Sequence, residues 1–237
     1  MQHTQSSLSQ DDIQKLRKLF SHIRAVIFDM DGLMIDSEPY HCKAFDHVFR
    51  QFGKELTEEV NNSLYVGISD IDAATDMVNR FELPISPEEL VKQKQAAYLH
   101  LIKNVTPQPG LRELLSHLDD AAMKTAIASS SMLTEIFAVT DGLDITYYFD
   151  VFCSAEEVEH GKPAPDIFLY AAQKIGLPPD QCLVLEDAPK GIEAAKAAGM
   201  MSIAIPSRET MDKDFSLATV KLSSLFEVMQ CFATSNY

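Results

Sequence analysis

The run Arg24-Ala-Val-Ile-Phe-Asp-Met-Asp-Gly32 decides the fold. Residues 24–28 form a short β-rich apolar run that stops abruptly at Asp29, the pattern of a buried strand whose carboxyl end carries charge. Beyond residue 110, helix and strand signals alternate: helix 110–118, strand 124–128, helix 132–139, strand 151–153, helix 164–175, strand 182–186, helix 189–198 and strand 201–205. Strands separated by helical segments imply right-handed crossovers and a parallel sheet. The first strand joins that sheet only if the intervening segment leaves it and returns at one edge. The predicted class is therefore α/β: a doubly wound, Rossmann-like parallel-sheet core with an inserted all-helical cap.

The insert has its own character. From about Glu38 to Lys103 the periodicity is helical, β-branched runs are few, and breakers stand near Gly53, Gly67 and Pro84, which predicts about four helices. Asn104 to Gly110 reads as a linker because its prolines and glycine oppose regular structure. The expected domains are an N-terminal extension over 1–20, a core over 21–36 and 107–237, and a helical cap over 37–106. Residues 1–8 are polar and predicted to be disordered. Ser9 and Asp12 stand in the relation of a capping box ahead of Ile13, Leu16, Leu19 and Phe20, which predicts a short amphipathic helix whose role is packing. Ser223 to Phe232 reads as a helix closing the core.

The 237 residues carry 20 Lys+Arg against 35 Asp+Glu, a formal charge of −15. Summed charge of this sign repels phosphate backbones and anionic lipid heads, which argues against nucleic acid and membrane surfaces as partners. A small phosphorylated metabolite remains compatible, provided a metal ion and a local lysine offset the field. No stretch approaches the ~18 apolar residues of a spanning helix. The start lacks a basic region followed by an apolar one, so no signal peptide is expected. Cys42, Cys153, Cys182 and Cys231 lie far apart, as reduced thiols rather than a disulfide framework or zinc site. A cytoplasmic location is the expectation.

In open α/β sheets ligands bind beyond the carboxyl ends of the strands. Three predicted strands end in polar residues there: 24–28 at Asp29, 124–128 at Ser129, and 182–186 at Glu186-Asp187. Asp29 and Asp31 are close enough for one to act as nucleophile and the other as acid/base. Paired carboxylates in such a crevice repel, so they separate in pKa or recruit a cation. Ser129-Ser130-Ser131 offers hydroxyls and backbone N–H groups near a helix N-terminus, a favourable place for an anion. The Lys162 ammonium offsets both a phosphate and a carboxylate, and Asp187 adds a hard oxygen donor suited to Mg²⁺. These are the parts of a phosphoryl-transfer site, where catalysis is mostly positioning and charge stabilisation. Glu156, Glu157, Glu159 and His160 precede Lys162 but their consecutive spacing aims them apart, and they read as a solvated loop.

The segments Phe28-Asp-Met-Asp-Gly-Leu-Met-Ile-Asp-Ser-Glu38, Ala128-Ser-Ser-Ser131, Gly161-Lys-Pro-Ala-Pro-Asp166 and Leu185-Glu-Asp-Ala-Pro-Lys-Gly-Ile-Glu-Ala-Ala195 resemble, in order, the four motifs of the haloacid dehalogenase-like hydrolase superfamily. The helical insert between the first two is similar to that of the β-phosphoglucomutase and pseudouridine-5′-phosphatase-like group. The resemblance implies that Asp29 attacks phosphorus to form an aspartyl-phosphate. It implies that Asp31 protonates the leaving alkoxide and then activates water, while its backbone carbonyl ligates Mg²⁺. Asp29 and Asp187 would be the carboxylates on the metal, with Glu186 a ligand through water. Ser129 and Ser130 would bind the phosphoryl group, and Lys162 would neutralise charge. The dehalogenases lack the second aspartate, because a leaving halide needs no proton, so Asp31 argues against dehalogenation.

In the cap, His41 and Lys94 fall where the mutase-like proteins carry a histidine and a lysine near the site, and they are expected to bind substrate. Asp70, in Gly67-Ile-Ser-Asp70, stands where the mutase pattern places an arginine for the second phosphate of a bisphosphate. An aspartate has the wrong charge for that task. The expected function is a Mg²⁺-dependent phosphatase acting on a small phosphomonoester, a sugar phosphate or a nucleotide such as pseudouridine 5′-phosphate. A sugar phosphomutase and a non-catalytic phospho-ligand-binding relative are the alternatives.

Overall fold

The computed structural model describes residues 8–65 and 69–232. Of the expected disorder over residues 1–8, residues 1–7 lie outside the described residues, as does the breaker at Gly67. In chain order the elements are α1 (Gln10–Leu19), β1 (Ala25–Phe28), α2 (Glu38–Gln51), α3 (Glu58–Leu64), α4 (Asp70–Arg80) and α5 (Pro87–Leu101). They continue with α6 (Leu111–Asp120), β2 (Lys124–Ser129), α7 (Leu133–Gly142), β3 (Val151–Ser154), α8 (Asp166–Ile175), β4 (Cys182–Glu186), α9 (Pro189–Ala197), β5 (Met201–Ala204), β6 (Val220–Lys221) and α10 (Leu225–Gln230). The chain divides into two compact units, Met1–Asp36 with Thr106–Tyr237, and Ser37–Val105.

The first unit is built on a six-stranded sheet in the order β3-β2-β1-β4-β5-β6, with every pairing parallel. All four residues of β1 are buried, as are all five of β4, because helices cover both faces of a parallel sheet and leave no polar side. That is why these strands read as continuous apolar runs. Ile27 of β1 faces Ala126 of β2 on one side and Val184 of β4 on the other. One core cluster joins Ala25, Ile27, Ala126, Ala128 and Val184 to Ile167 and Phe168 of α8 and Ala194 and Ala195 of α9.

The chain runs outward from β1 through β2 to β3, then returns to the other side of β1 for β4. The strand order thus reverses at β1, and the crevice at such a reversal is the usual ligand position in this class of sheet. Strand β6 went unread in the sequence because two residues carry no period. At the N-terminus, Ser9 Oγ accepts from Asp12 N (3.2 Å) and caps α1, which buries Ile13 and is tied to α10 by Arg17 Nε donating to the Gln230 carbonyl (2.9 Å).

The second unit holds α2 to α5 around a separate core of Phe45, Val48, Phe49, Leu56, Ala73, Ala74, Met77, Leu83 and Leu90. Ser86 Oγ accepts from Glu89 N, and Pro87 opens α5, a helix start that suits a residue without an N–H. All four cysteines are free and buried, and among the described residues no helix is long and apolar enough to cross a membrane.

Candidate active site

The backbone that leaves β1 turns at once. Asp29 N donates to the Leu185 carbonyl (3.0 Å), continuing the β1–β4 pairing one residue beyond the strand, and Gly32 N donates to the Ile35 carbonyl (2.8 Å) to close a tight loop. Gly32 sits at φ +84°, and a Cβ there would overlap the Asp187 carboxylate. Only glycine meets both conditions, the left-handed backbone and the close approach. The loop delivers Asp29 and Asp31 to the carboxyl edge beside the end of β4.

There the charges converge. Lys162 Nζ donates to Asp29 Oδ1 at 2.5 Å, to Glu186 Oε1 at 2.7 Å and to the Ala128 carbonyl at 3.1 Å, and lies 5.0 Å from the centre of the Phe168 ring. Asp29, Glu186 and Asp187 are buried, and one carboxylate oxygen from each lies within 4.8 Å of the others. Four carboxylates, with Asp31, face one buried ammonium. Burial first, and then the charges of Glu186, Asp187 and Asp31, hold the Asp29 carboxyl well above its ordinary range, although Lys162 pulls it down. Burial and the neighbouring Glu186 push Asp187 up to about 7. Burial works against the Lys162 charge, but Asp29 and Glu186 outweigh it and hold the ammonium above its ordinary value.

Asp31 is held differently. Ser131 Oγ donates to its Oδ2 at 2.6 Å, with Ser129 Oγ at 3.5 Å from the same oxygen, while Oδ1 is buried without a hydrogen-bond partner among the described residues. Ser131 is itself fixed, its N–H donating to Ser129 Oγ (3.0 Å) and its carbonyl accepting from Ser154 Oγ (2.8 Å). Ser129 is buried at the end of β2, and Ser130 is exposed and lines the cavity. That cavity, of about 320 Å³, is bounded by Asp29, Asp31, Ser130, Lys162, Glu186 and Asp187, with Lys190 at its edge. Glu186 Oε2 accepts from Ala188 N (2.8 Å), and a Cβ on Gly191 would collide with the Glu186 side chain.

The donor set fits a hard divalent cation. Mg²⁺ favours carboxylate and carbonyl oxygens, and here three gathered carboxylates are incompletely neutralised by one lysine. The orphaned Asp31 Oδ1 and the glycine cradle against Asp187 show a polar hollow rather than a packed one.

His41 and Lys94 lie in the second unit and come together there. Lys94 is wholly buried, and its Nζ contacts His41 Nδ1 at 2.8 Å and Asp70 Oδ2 at 2.6 Å, beneath the faces of Tyr98 and Phe45. His41 stacks on Tyr98 with ring centres 4.2 Å apart. Asp70 is therefore not the bare negative charge that its position in the sequence suggests, because Lys94 offsets it. A hollow of about 190 Å³ bounded by Glu38, His41, Asn61, Tyr65 and Asp70 adjoins this group.

Glu157 accepts from Ser154 N and Lys174, and His160 pairs with Asp166, so these residues serve local structure. Sequence reading did not assign Ser131 its bond to Asp31, nor place Lys190 at the cavity. The first is one of three consecutive serines, and only the strand pleat and the turn after it distinguish them; the second is visible as a basic residue in the segment after Asp187.

A family model described as haloacid dehalogenase-like hydrolase matches residues 26–205. A protein of Drosophila melanogaster named "Probable pseudouridine-5′-phosphatase" is 35% identical over 214 residues, 88% of this chain and 92% of the relative. Hexitol phosphatase B of Escherichia coli K12 is 36% identical over 210 residues, 87% of this chain and 94% of the relative. Among solved structures, β-phosphoglucomutase of Clostridium difficile superposes with a TM-score of 0.67 at 28% identity, over 88% of this chain and 96% of that one.

Proposed function

This chain belongs to the haloacid dehalogenase-like hydrolase family, and we propose that it is a Mg²⁺-dependent phosphatase that cleaves a small phosphomonoester through an aspartyl-phosphate. The observation that carries the reading is the meeting of Asp29, Asp31, Lys162, Glu186 and Asp187 around one cavity at the sheet's point of reversal. The proposed substrate is a sugar phosphate or a nucleotide such as pseudouridine 5′-phosphate. Relatives named for pseudouridine and hexitol phosphates support that class. The proposed location is cytoplasmic, the helical unit is proposed as the substrate-selecting cap, and His41 and Lys94 are its proposed substrate-binding residues.

The Asp29 carboxylate attacks phosphorus, and the bond from phosphorus to the ester oxygen breaks. Asp31 gives its proton to the departing alkoxide, so an alcohol leaves. Ser131 donates to Oδ2 and orients this carboxyl. Asp31, now a carboxylate, takes a proton from water as the water oxygen attacks phosphorus, and inorganic phosphate leaves Asp29 free. Lys162 orients Asp29 by its bond to Oδ1 and favours its anionic form, while Glu186 fixes that lysine from the other side. Ser129 and Ser130 supply hydrogen bonds to the phosphoryl oxygens. Asp29, Asp187 and the Asp31 carbonyl would hold Mg²⁺, with Glu186 acting through water. When bound, the ion offsets the carboxylate repulsion and draws charge from the phosphoryl oxygens.

A sugar phosphomutase is the second reading, favoured by the likeness to β-phosphoglucomutase. It is opposed by the pairing of Lys94 with Asp70, which spends the buried ammonium of the helical unit on a carboxylate instead of a second phosphate. The test is incubation with Mg²⁺, β-glucose 1-phosphate and catalytic glucose 1,6-bisphosphate, beside a panel of phosphomonoesters with and without chelator. Phosphate release that needs Mg²⁺ and stops in Asp29→Asn is expected. Efficient isomerisation without phosphate release would replace this reading by the mutase.

A further inference from the structure

Among the hydrogen bonds of the cavity, Lys162 serves Asp29 and Glu186, and Asp187 is held at its main chain by a different part of the chain. The loop after β5 returns to the end of β4, starting with Ile205 N donating to the Glu186 carbonyl at 2.8 Å. Five residues on, Thr210 Oγ1 donates to the Asp187 carbonyl at 2.6 Å. A hydroxyl has one proton, so this bond leaves Thr210 Oγ1 an acceptor towards its other neighbours. It accepts from Ser207 N at 3.0 Å and lies 3.1 Å from Ser207 Oγ. With the Thr210 proton on the Asp187 carbonyl, the Ser207 hydroxyl is the donor of that contact. Asp187 is thus gripped at its main chain by Thr210, which Ser207 supports in turn, with the Gly32 backbone against the carboxylate.

Carboxylates gathered as closely as those of Asp29, Glu186 and Asp187 repel, and without an anchor the one on a loop swings away. We propose that Thr210, with Ser207, is a positioning residue for the divalent cation: its bond to the Asp187 carbonyl holds that carboxylate in the cluster. The inference rests on the reading of Asp187 as a Mg²⁺ ligand. Thr210 touches neither substrate nor reacting atoms. Its influence is on how tightly the cation binds, and partners of metal ligands commonly alter affinity about 10–100-fold.

The test is calorimetric titration of the full chain with Mg²⁺ alone, in wild type, Thr210→Val, Thr210→Ser and Ser207→Ala, with thermal midpoints taken in chelator. Thr210→Val keeps the shape and loses the proton, and should bind Mg²⁺ about tenfold more weakly. Thr210→Ser keeps the proton and should stay within about twofold of wild type, a rescue that a packing role of the methyl group would not give. Ser207→Ala should show a smaller loss, and the midpoints in chelator should stay together. Wild-type affinity in Thr210→Val, or equal weakness in Thr210→Ser, would overturn the proposal. If Thr210→Val fails to fold, unchanged affinity in Ser207→Ala overturns it instead. Absence of Mg²⁺ binding by the wild type would overturn the metal reading itself, and this inference with it.

Discussion

The two oxygens of Asp31 have different surroundings, and Ser131 fixes the carboxyl through one of them. Oδ2 is committed to Ser131, and Oδ1 is buried without a partner among the described residues. Asp31→Asn keeps the backbone carbonyl and the shape but has no proton to give an alkoxide. Turnover of alkyl phosphates should fall about 10²–10⁴-fold with Mg²⁺ binding retained. An aryl phosphate has a better leaving group and should lose less in the phosphorylation step. Single-turnover measurements on both esters check this, and equal losses would contradict the acid role. At this scale the sequence was legible for placement at strand ends, as for Asp29, Ser129 and Asp187. It was illegible where a hydroxyl reaches across the fold. Ser131 and Asp31 are 100 residues apart, and Thr210 and Asp187 are 23 apart, so neither bond leaves a local pattern.

Between elements, the start of β3 is tied to the start of β2 by Asp150. Its carboxylate accepts from Thr125 N (3.0 Å) and from Lys124 Nζ (2.6 Å). Burial raises its pKa, but these hydrogen bonds outweigh burial and hold the group below the usual carboxylate range. A depressed folded-state pKa gives stability that is present above the unfolded value and is lost as pH falls through the folded one. Asp150→Asn should therefore cost about 1 kcal/mol near neutral pH, allowing for partial exposure, and the gap from wild type should shrink below about pH 4. Urea unfolding at pH 7 and at about pH 3 measures both; a gap that widens at low pH would contradict the assignment. The α/β class was legible because strands and helices of this core differ in period and composition. β6 was not, since it is two residues, Val220 and Lys221, paired with β5. The insert's helices were legible as a group, but the burial of Lys94 was not, because a lysine in a helix is ordinarily read as surface.

For the whole molecule, the formal charge of −15 is most concentrated in consequence where Asp29, Asp31, Glu186 and Asp187 face Lys162. A cation that binds the folded chain and not the unfolded one raises stability by mass action, about 2.7 kcal/mol at a hundred times its dissociation constant. Mg²⁺ should therefore raise the thermal midpoint in wild type, and Asp187→Ala should need markedly more Mg²⁺ for the same rise. Identical shifts in the two proteins would remove Asp187 from the ligand set. The central claim is that the phosphoryl group passes through Asp29, and acid quenching within one turnover of a ³²P-labelled phosphomonoester, followed by peptide mapping, tests it most directly. Hydroxylamine-sensitive label is expected on the peptide containing Asp29 and none in Asp29→Asn; phosphate release with no label on the chain, or with label on another residue, would rule out that intermediate.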